Sequence, residues 1–481
     1  MKHFSILLIL FCQVSVVIAQ QLPELPQLYD KDFLTPQFHA GRRAALRELM
    51  PANTAVVVFA NPERNRNNDT DFQYAQNPNF YYLTGYPEPN ALLVITKDEV
   101  SAGTQKGTEF FFAQERDLRR ESVTGRRLGK EGVTQELKIK NANLGKDFAN
   151  FPLDFSRFDS VFYVLPEGVV NGRDPRNTAE LYDLIEQVKA KTKNQKVLPR
   201  TFVSMMAQLR QQKLPEEMVL LRRAIDITGQ GHREVMKFMD PEITEYQAQA
   251  VMEYTFKSYG SEYVGYGSIA GGAENSCILH YITNRRTLVD GDLFLTDCGA
   301  EYHGYTADIT RTLPVNGKFS PEQKAIYELV LAAQEAGFAA CQPNKPYRQV
   351  HQAAFKVVQE GLIRLGIATD SLTTRKYFMH GTAHSLGLDV HDAMVRTNDK
   401  NPAMGPLMLP NFVTTVEPGI YIPANSPCDP KWWNIGVRIE DDVLVTETGH
   451  EVLSLGSPRT VADIEQLMSE KSDFKKPPRR P

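Results

Sequence analysis

Four acidic residues in the second half of this 481-residue chain close apolar stretches that should be buried, and this narrows the folds open to it more than any other feature. LFLTD ends on Asp297 and a return stretch reaches Asp308, while FVTTVE and NIGVRIE end on Glu417 and Glu440. An acid at an inward-facing strand position is costly unless it is paired or holds a cation. The fold must either neutralise each acid separately or gather them around positive charge.

The text DCGAEYHGYTAD, with Gly304 at its centre, suits a hairpin that brings Asp297 and Asp308 to one face. The other reading is a helix cap plus a surface acid. MHGTAHSLGLDVHD holds His380, His384 and His391, three of the chain's 10 histidines. Gly381 stands where the Glu of an HExxH zinc helix would be, so that pattern is absent. The glycines point instead to backbone packed closely around a site, with purely structural histidines as the alternative. Glu417 precedes the turn at Pro418-Gly419, and a buried pair with Arg438 is the alternative to a ligand role.

Together, two Asp, two Glu and one His form a hard, oxygen-rich set whose four negative charges balance two divalent cations. Carboxylates suit manganese or magnesium, and zinc, cobalt and iron(II) stay open. Two ions about 3.5–4 Å apart can share a water and hydrolyse a polarised carbonyl or phosphoryl group. Serine catalysis is the weaker reading: Ser385 adjoins His384, but there is no G-x-S-x-G elbow. Cys298 alternates with Asp297 on its strand and reads as core. Tyr302 and Tyr305 read as packing residues, and Cys277 has no evident base beside it.

The chain is 42% hydrophobic, too apolar for disorder, and 54 Lys+Arg against 58 Asp+Glu give a net charge of -4, which offers a nucleic-acid partner nothing. Residues 1–19 read as a secretory signal: Lys2-His3, an apolar run Phe4–Ile18, and cleavage after Ala19. The run falls short of the roughly 20 residues of a spanning helix, so the expectation is export to the periplasm or the medium, with no stable membrane span after cleavage. Cys277, Cys298, Cys341 and Cys428 then remain; three pairings are open, as are free thiols. TAVVVFA, FYYLTG at 80–85, ALLVIT at 91–96, EFFFA at 109–113 and SVFYVL at 160–165 read as strands, with a helix over 178–193. This predicts an α/β or mixed domain over 20–212. Leu214-Pro215-Glu216-Glu217 opens a long amphipathic helix and a second α/β (α+β) domain, 213–465, followed by a charged, proline-rich tail, 466–481, that reads as disordered.

The segments ILHY, DCGAEYHGYTADITRTLPVNGKF, HGTAHSLGLDVHD, VEPGIYI and GVRIEDDVLVTETG, in this order, resemble those of the metal-dependent pita-bread peptidases, and among them the aminopeptidase P (Xaa-Pro aminopeptidase) group. NPNFYYLTGYPEPNALLVI is similar to part of that group's N-terminal domain. The resemblance implies a duplicated, curved-sheet catalytic domain behind a creatinase-type α/β domain. It implies two divalent ions, manganese first among the candidates, held by Asp297, Asp308, His384, Glu417 and Glu440, with Asp308 and Glu440 bridging. By the same resemblance Glu417 takes the proton of a metal-bridged water as it attacks the Xaa-Pro amide. His280 lies on the substrate side, His391 steadies the tetrahedral intermediate, and His380 stands near the leaving residue. Arg438 supports the site, and Tyr421 joins its network. The implied substrates are proline-containing peptides and the implied assembly a homo-oligomer, dimer or tetramer.

A prolidase acting only on Xaa-Pro dipeptides shares all five ligands. It needs a clamp for the proline carboxylate, for which neither Arg396 nor Arg438 can be assigned from sequence; the segment 423–434, with Trp432 and Trp433, lies at that end. A non-catalytic binding protein on the same fold is the rival from another class, and the filled ligand positions weigh against it. A methionine aminopeptidase is disfavoured by the LGLDVHD text and the large N-terminal domain.

Overall fold

The computed structural model describes residues 30–169, 179–396 and 405–474. The expected signal, residues 1–19, and the last residues of the expected tail lie outside them. The described residues from Leu34 onward form one compact unit, in which both expected domains lie.

The first half is built on a five-stranded mixed sheet in the order Ala142–Leu144, Gln105–Ala113, Leu92–Ala102, Thr54–Phe59, Ser160–Phe162. Thr54–Phe59 is buried at every position, and its residues divide between two cores as the two-residue period requires. Val56 and Val58 pack with Phe38 and Leu46 of helix Pro36–Leu49, whereas Ala55, Val57 and Phe59 face Leu181, Leu184 and Val188 of helix Ala179–Lys191. A sheet covered on both faces explains why its strands read as continuous apolar runs.

FYYLTG is not a strand. Pro78–Thr84 is a helix, capped by the Asn77 carboxamide on the backbone N–H groups of Asn79 and Phe80 and ended by Gly85 at φ 69°. Capping outweighs the strand preference of four aromatic or β-branched positions, and Asn-Pro followed by Gly was the signal present in the sequence.

The second half repeats one order of elements. Helices Pro215–Phe238 and Glu245–Ser258 precede strands Ile269–Gly272, Leu293–Cys298 and Ile309–Pro314; helices Pro321–Ala340 and Arg348–Arg364 precede strands Val413–Val416, Gly419–Ile422, Ile435–Arg438 and Asp441–Val445. An antiparallel bridge between Thr310 and Glu440 joins the two strand sets. Behind it Arg311, wholly buried, donates to the carbonyls of Glu440, Ser457 and Pro458 and to the Asp441 carboxylate at 2.7 Å. The last helix, Val461–Met468, crosses the boundary drawn at 465, and the Phe474 ring meets Phe238 and Tyr254 edge-on. The ordered chain therefore extends into the expected tail, because apolar residues precede its basic end. No helix among the described residues is long and apolar enough to cross a membrane. Cys277, Cys298, Cys341 and Cys428 are all free thiols, and Cys298 is core as expected.

Candidate metal centre

Asp297 lies in Leu293–Cys298, whose register sets it opposite Thr310, while Asp308 immediately precedes Ile309–Pro314. Glu417 follows Val413–Val416, and Glu440 sits between Ile435–Arg438 and Asp441–Val445. Strand ends thus deliver all four acids to one place, two from each half. His384 comes from an irregular stretch, fixed by its N–H on the Thr415 hydroxyl at 3.1 Å.

The His384 Nε2 lies 3.3 Å from Asp308, 3.6 Å from Glu417 and 3.8 Å from Glu440. Its Nδ1 is 3.2 Å from the Ser385 carbonyl, which fixes the proton there and turns Nε2 toward the acids, the tautomer of a metal ligand. One ligand atom each from Asp308, His384 and Glu440 falls within a 4.8 Å span. Asp297 joins through Tyr266, whose hydroxyl lies 2.6 Å from the Asp297 carboxylate and 2.5 Å from that of Asp308. Thr310 donates to Glu440 at 2.6 Å.

Arg438 is the one guanidinium bonded to this cluster among the described residues. It meets Asp297 at 2.5 Å and also donates to Thr310 and to the Tyr421 hydroxyl. Its carboxylate partner is therefore Asp297 and not Glu417, so the alternative of a Glu417–Arg438 pair is not what forms. Tyr421 in turn donates to His380 Nε2 at 2.7 Å, and His380 Nδ1 donates to the Gly381 carbonyl at 2.6 Å. Burial and the nearby Arg438 push His380 down to about 4, so this relay ends on a neutral imidazole.

Crowding shows in the acids' proton affinities. Burial pushes Glu417 up to about 7, with Asp308 and Asp297 adding to it against His384 and Arg438. Burial followed by Asp308 and Glu417 raises Glu440 well above the carboxylate range. Burial and Asp297 raise Asp308 as well. For Asp297 burial acts upward, but Arg438 and Tyr266 outweigh it and hold the group low. His384 is raised to about 9: burial opposes, and the hydrogen bond to Asp308 and the charge of Glu417 prevail. Three acids converging on one imidazole, a fourth tied in through Tyr266 and one guanidinium to offset them are a donor set short of positive charge, and divalent cations fit it.

The cluster lines a cavity of about 670 Å³ with His280, His380 and His391 on its walls and Ile269, Leu279, Ile282 and Val390 supplying apolar surface. His391 lies against His384, ring centroids 4.1 Å apart. Every site residue expected from the sequence is therefore in one place. Ser385 is not: its hydroxyl donates to the Asp392 carbonyl, so it is not a nucleophile. Trp432 is buried and the Trp433 indole donates to Ser426, so both serve the 423–434 segment. Arg396 is exposed and does not line the cavity. Sequence reasoning missed Tyr266, Thr310 and Asp442. Only Tyr266 carried a signal, its flanking Gly265 and Gly267; a Cβ on Gly265 would lie 1.7 Å from the Thr306 hydroxyl. Asp442, buried, accepts the Asp308 N–H at 3.2 Å and is raised by burial and by Asp308.

Residues 219–447 match metallopeptidase family M24, and residues 39–156 match the aminopeptidase P N-terminal domain. The Xaa-Pro aminopeptidase of Escherichia coli (strain K12) is 35% identical over 442 residues, covering 89% of this chain and 96% of the relative. That of Haemophilus influenzae is 35% identical over 445 residues, covering 90% of this chain and 97% of the relative. Among solved structures, Pseudomonas aeruginosa aminopeptidase PepP is similar at TM-score 0.80 and 36% identity, covering 91% of this chain and 99% of that one. A zinc-substituted E. coli aminopeptidase P in complex with product is similar at TM-score 0.79 and 34% identity, with 91% and 98% covered.

Proposed function

The chain belongs to metallopeptidase family M24, with an aminopeptidase P N-terminal domain ahead of its pita-bread catalytic domain, and on that premise we propose that it releases the N-terminal residue from peptides with proline in second position. It is a metal-dependent exopeptidase. The observation that carries the site assignment is the convergence of Asp308, Glu417 and Glu440 on the Nε2 of His384, with Asp297 tied in by Tyr266. Those five side chains would hold two divalent ions, for which manganese is the proposed metal on the strength of the carboxylate-rich set. When bound, such ions activate water and polarise the scissile carbonyl.

The protein supplies the rest. Glu417, at the cavity wall and the one acid of the four that is only half-buried, accepts the proton of the attacking water. His280 and His391 face the cavity and donate toward the carbonyl oxygen as charge develops on it. His380 is held neutral and oriented by Tyr421 against the leaving side, 3.5 Å from Glu417. Arg438 offsets the charge of Asp297 and holds Tyr421. The apolar wall of Ile269, Leu279, Ile282 and Val390 accepts a pyrrolidine ring, which has no N–H to satisfy. A free substrate amine beside Asp297 restricts cleavage to the first residue. Residues 1–19 support export to the periplasm or the medium, and assembly as a dimer or tetramer is proposed from the family.

The test is hydrolysis of Gly-Pro against a longer Xaa-Pro-Yaa peptide after incubation with manganese, magnesium, cobalt or zinc. Release of the first residue from the longer peptide, fastest with manganese, is the expected result. Cleavage of the dipeptide alone would make the enzyme a prolidase, and no cleavage with metal bound would overturn the substrate assignment.

A further inference from the structure

The segment between His384 and Asp392 is closed on itself and then fastened to Arg210 and Lys213. Asp392 and Ser385 exchange two bonds: the Asp392 N–H donates to the Ser385 carbonyl at 2.9 Å, and the Ser385 hydroxyl donates to the Asp392 carbonyl. His384 and His391 stand one residue outside and inside that closure, ring against ring. The Asp392 carboxylate then leaves the catalytic half. It receives Lys213 Nζ at 2.8 Å, from the connector between helices Pro199–Arg210 and Pro215–Phe238, and the guanidinium of Arg210, the last residue of the first of these helices. Arg210 also donates to Asp389 and, through the other nitrogen, to Asn79 of the N-terminal half, each at 2.8 Å. Lys213 donates to the Arg210 carbonyl at 2.7 Å, and Glu217 and Asp389 also feel its charge. Lys213 and Asp392 side chains are each 1% exposed. A Cβ on Gly387 would lie 2.2 Å from the Asp392 carboxylate and 2.9 Å from Lys213 Cε, so the loop is moulded onto the pair.

Burying two cations and an acid contributes little stability that apolar residues of the same volume would not. What the cluster supplies is position: the residue directly after His391 is pinned by two charge-assisted partners, Lys213 and Arg210. We propose that Asp392, Lys213 and Arg210 are positioning residues that set His391 over the cavity, so that the connector and the N-terminal half share in aiming a substrate-facing histidine. This rests on the peptidase reading of the site.

The experiment is a double-mutant cycle in the full-length, metal-loaded enzyme. Lys213→Met is made alone and in the His391→Ala background, with Asp392→Asn as the milder second variant should Lys213→Met fail to fold. If Lys213 acts through His391, Lys213→Met lowers kcat by roughly 10²-fold with KM nearly unchanged. In the His391→Ala background the same change lowers it further by no more than about 3-fold. Bound metal per chain stays at the wild-type level in both. Equal losses in the two backgrounds, or loss of bound metal with loss of activity, would overturn the proposal. If the wild-type enzyme cleaves no Xaa-Pro peptide, the functional reading has failed, and the positioning claim is then decided by histidine-labelled NMR. A displaced His391 ring signal in Lys213→Met sustains it, and an unmoved one overturns it.

Discussion

The Arg438 guanidinium lies 2.5 Å from the Asp297 carboxylate, and both side chains are nearly excluded from solvent. Among the described residues this is the only guanidinium bonded to a carboxylate of the four clustered acids, and its other terminal nitrogen holds Tyr421. Replacing Arg438 with Met leaves Asp297 buried without its cation. The expected cost is about 3–5 kcal/mol in the metal-free protein, read by urea unfolding. Arg438→Lys recovers only part of it, because one ammonium cannot reach Asp297, Thr310 and Tyr421 in the same geometry.

Glu417→Gln keeps the volume and removes the proton acceptor. The variant folds with a wild-type circular dichroism spectrum and loses about 10²–10⁴-fold in kcat on an Xaa-Pro-Yaa peptide. Activity within a few-fold of wild type would show that Glu417 is not the base.

Stability of the metal-free protein depends on pH in a defined direction. Glu417 is raised to about 7 when folded, so the folded state binds its proton more tightly than the unfolded chain, and that advantage is complete in acid and lost as pH rises through 7. His384, raised to about 9, acts with the same sign over a higher window, from its ordinary value upward. The metal-stripped protein should therefore melt at a lower temperature at pH 9 than at pH 6. Saturating divalent metal should reverse that trend, since it replaces those protons. Differential scanning calorimetry with and without chelator checks both.

Gly299→Ala tests the frame that delivers Asp308. A Cβ there would lie 1.8 Å from the Ala307 carbonyl oxygen, a backbone atom with nowhere to go. Separation of the two strands should cost about 1–3 kcal/mol and lower the metal bound at equilibrium, measured by thermal unfolding and metal analysis.

The ligand set was legible because its logic is local: an acid at the end of an apolar strand is anomalous wherever it occurs, and three histidines among glycines are conspicuous. Much of the hydrogen-bonding frame behind the ligands was not legible. Tyr266 reaches Asp308 across 42 residues, Thr310 reaches Glu440 across 130, and Lys213 reaches Asp392 across 179. Each is an ordinary residue in its own stretch and acquires a role only when the chain closes. The fold class was readable from alternating strand and helix text. The misread segment at 80–85 shows where composition gives way: Asn77, Pro78 and Gly85 decided the backbone, and the aromatic residues between them merely filled the core.

The division of the acids between two strand sets bears on how the protein matures. Asp297 and Asp308 come from one helix-pair-and-strands block, Glu417 and Glu440 from the next, and Thr310 meets Glu440 at the seam. A nascent chain with only the first block folded offers two of the four carboxylates and lacks the ligand imidazole of His384. Tight metal capture therefore waits for the second block to dock, and the ion stabilises the finished molecule without rewarding any half-built one.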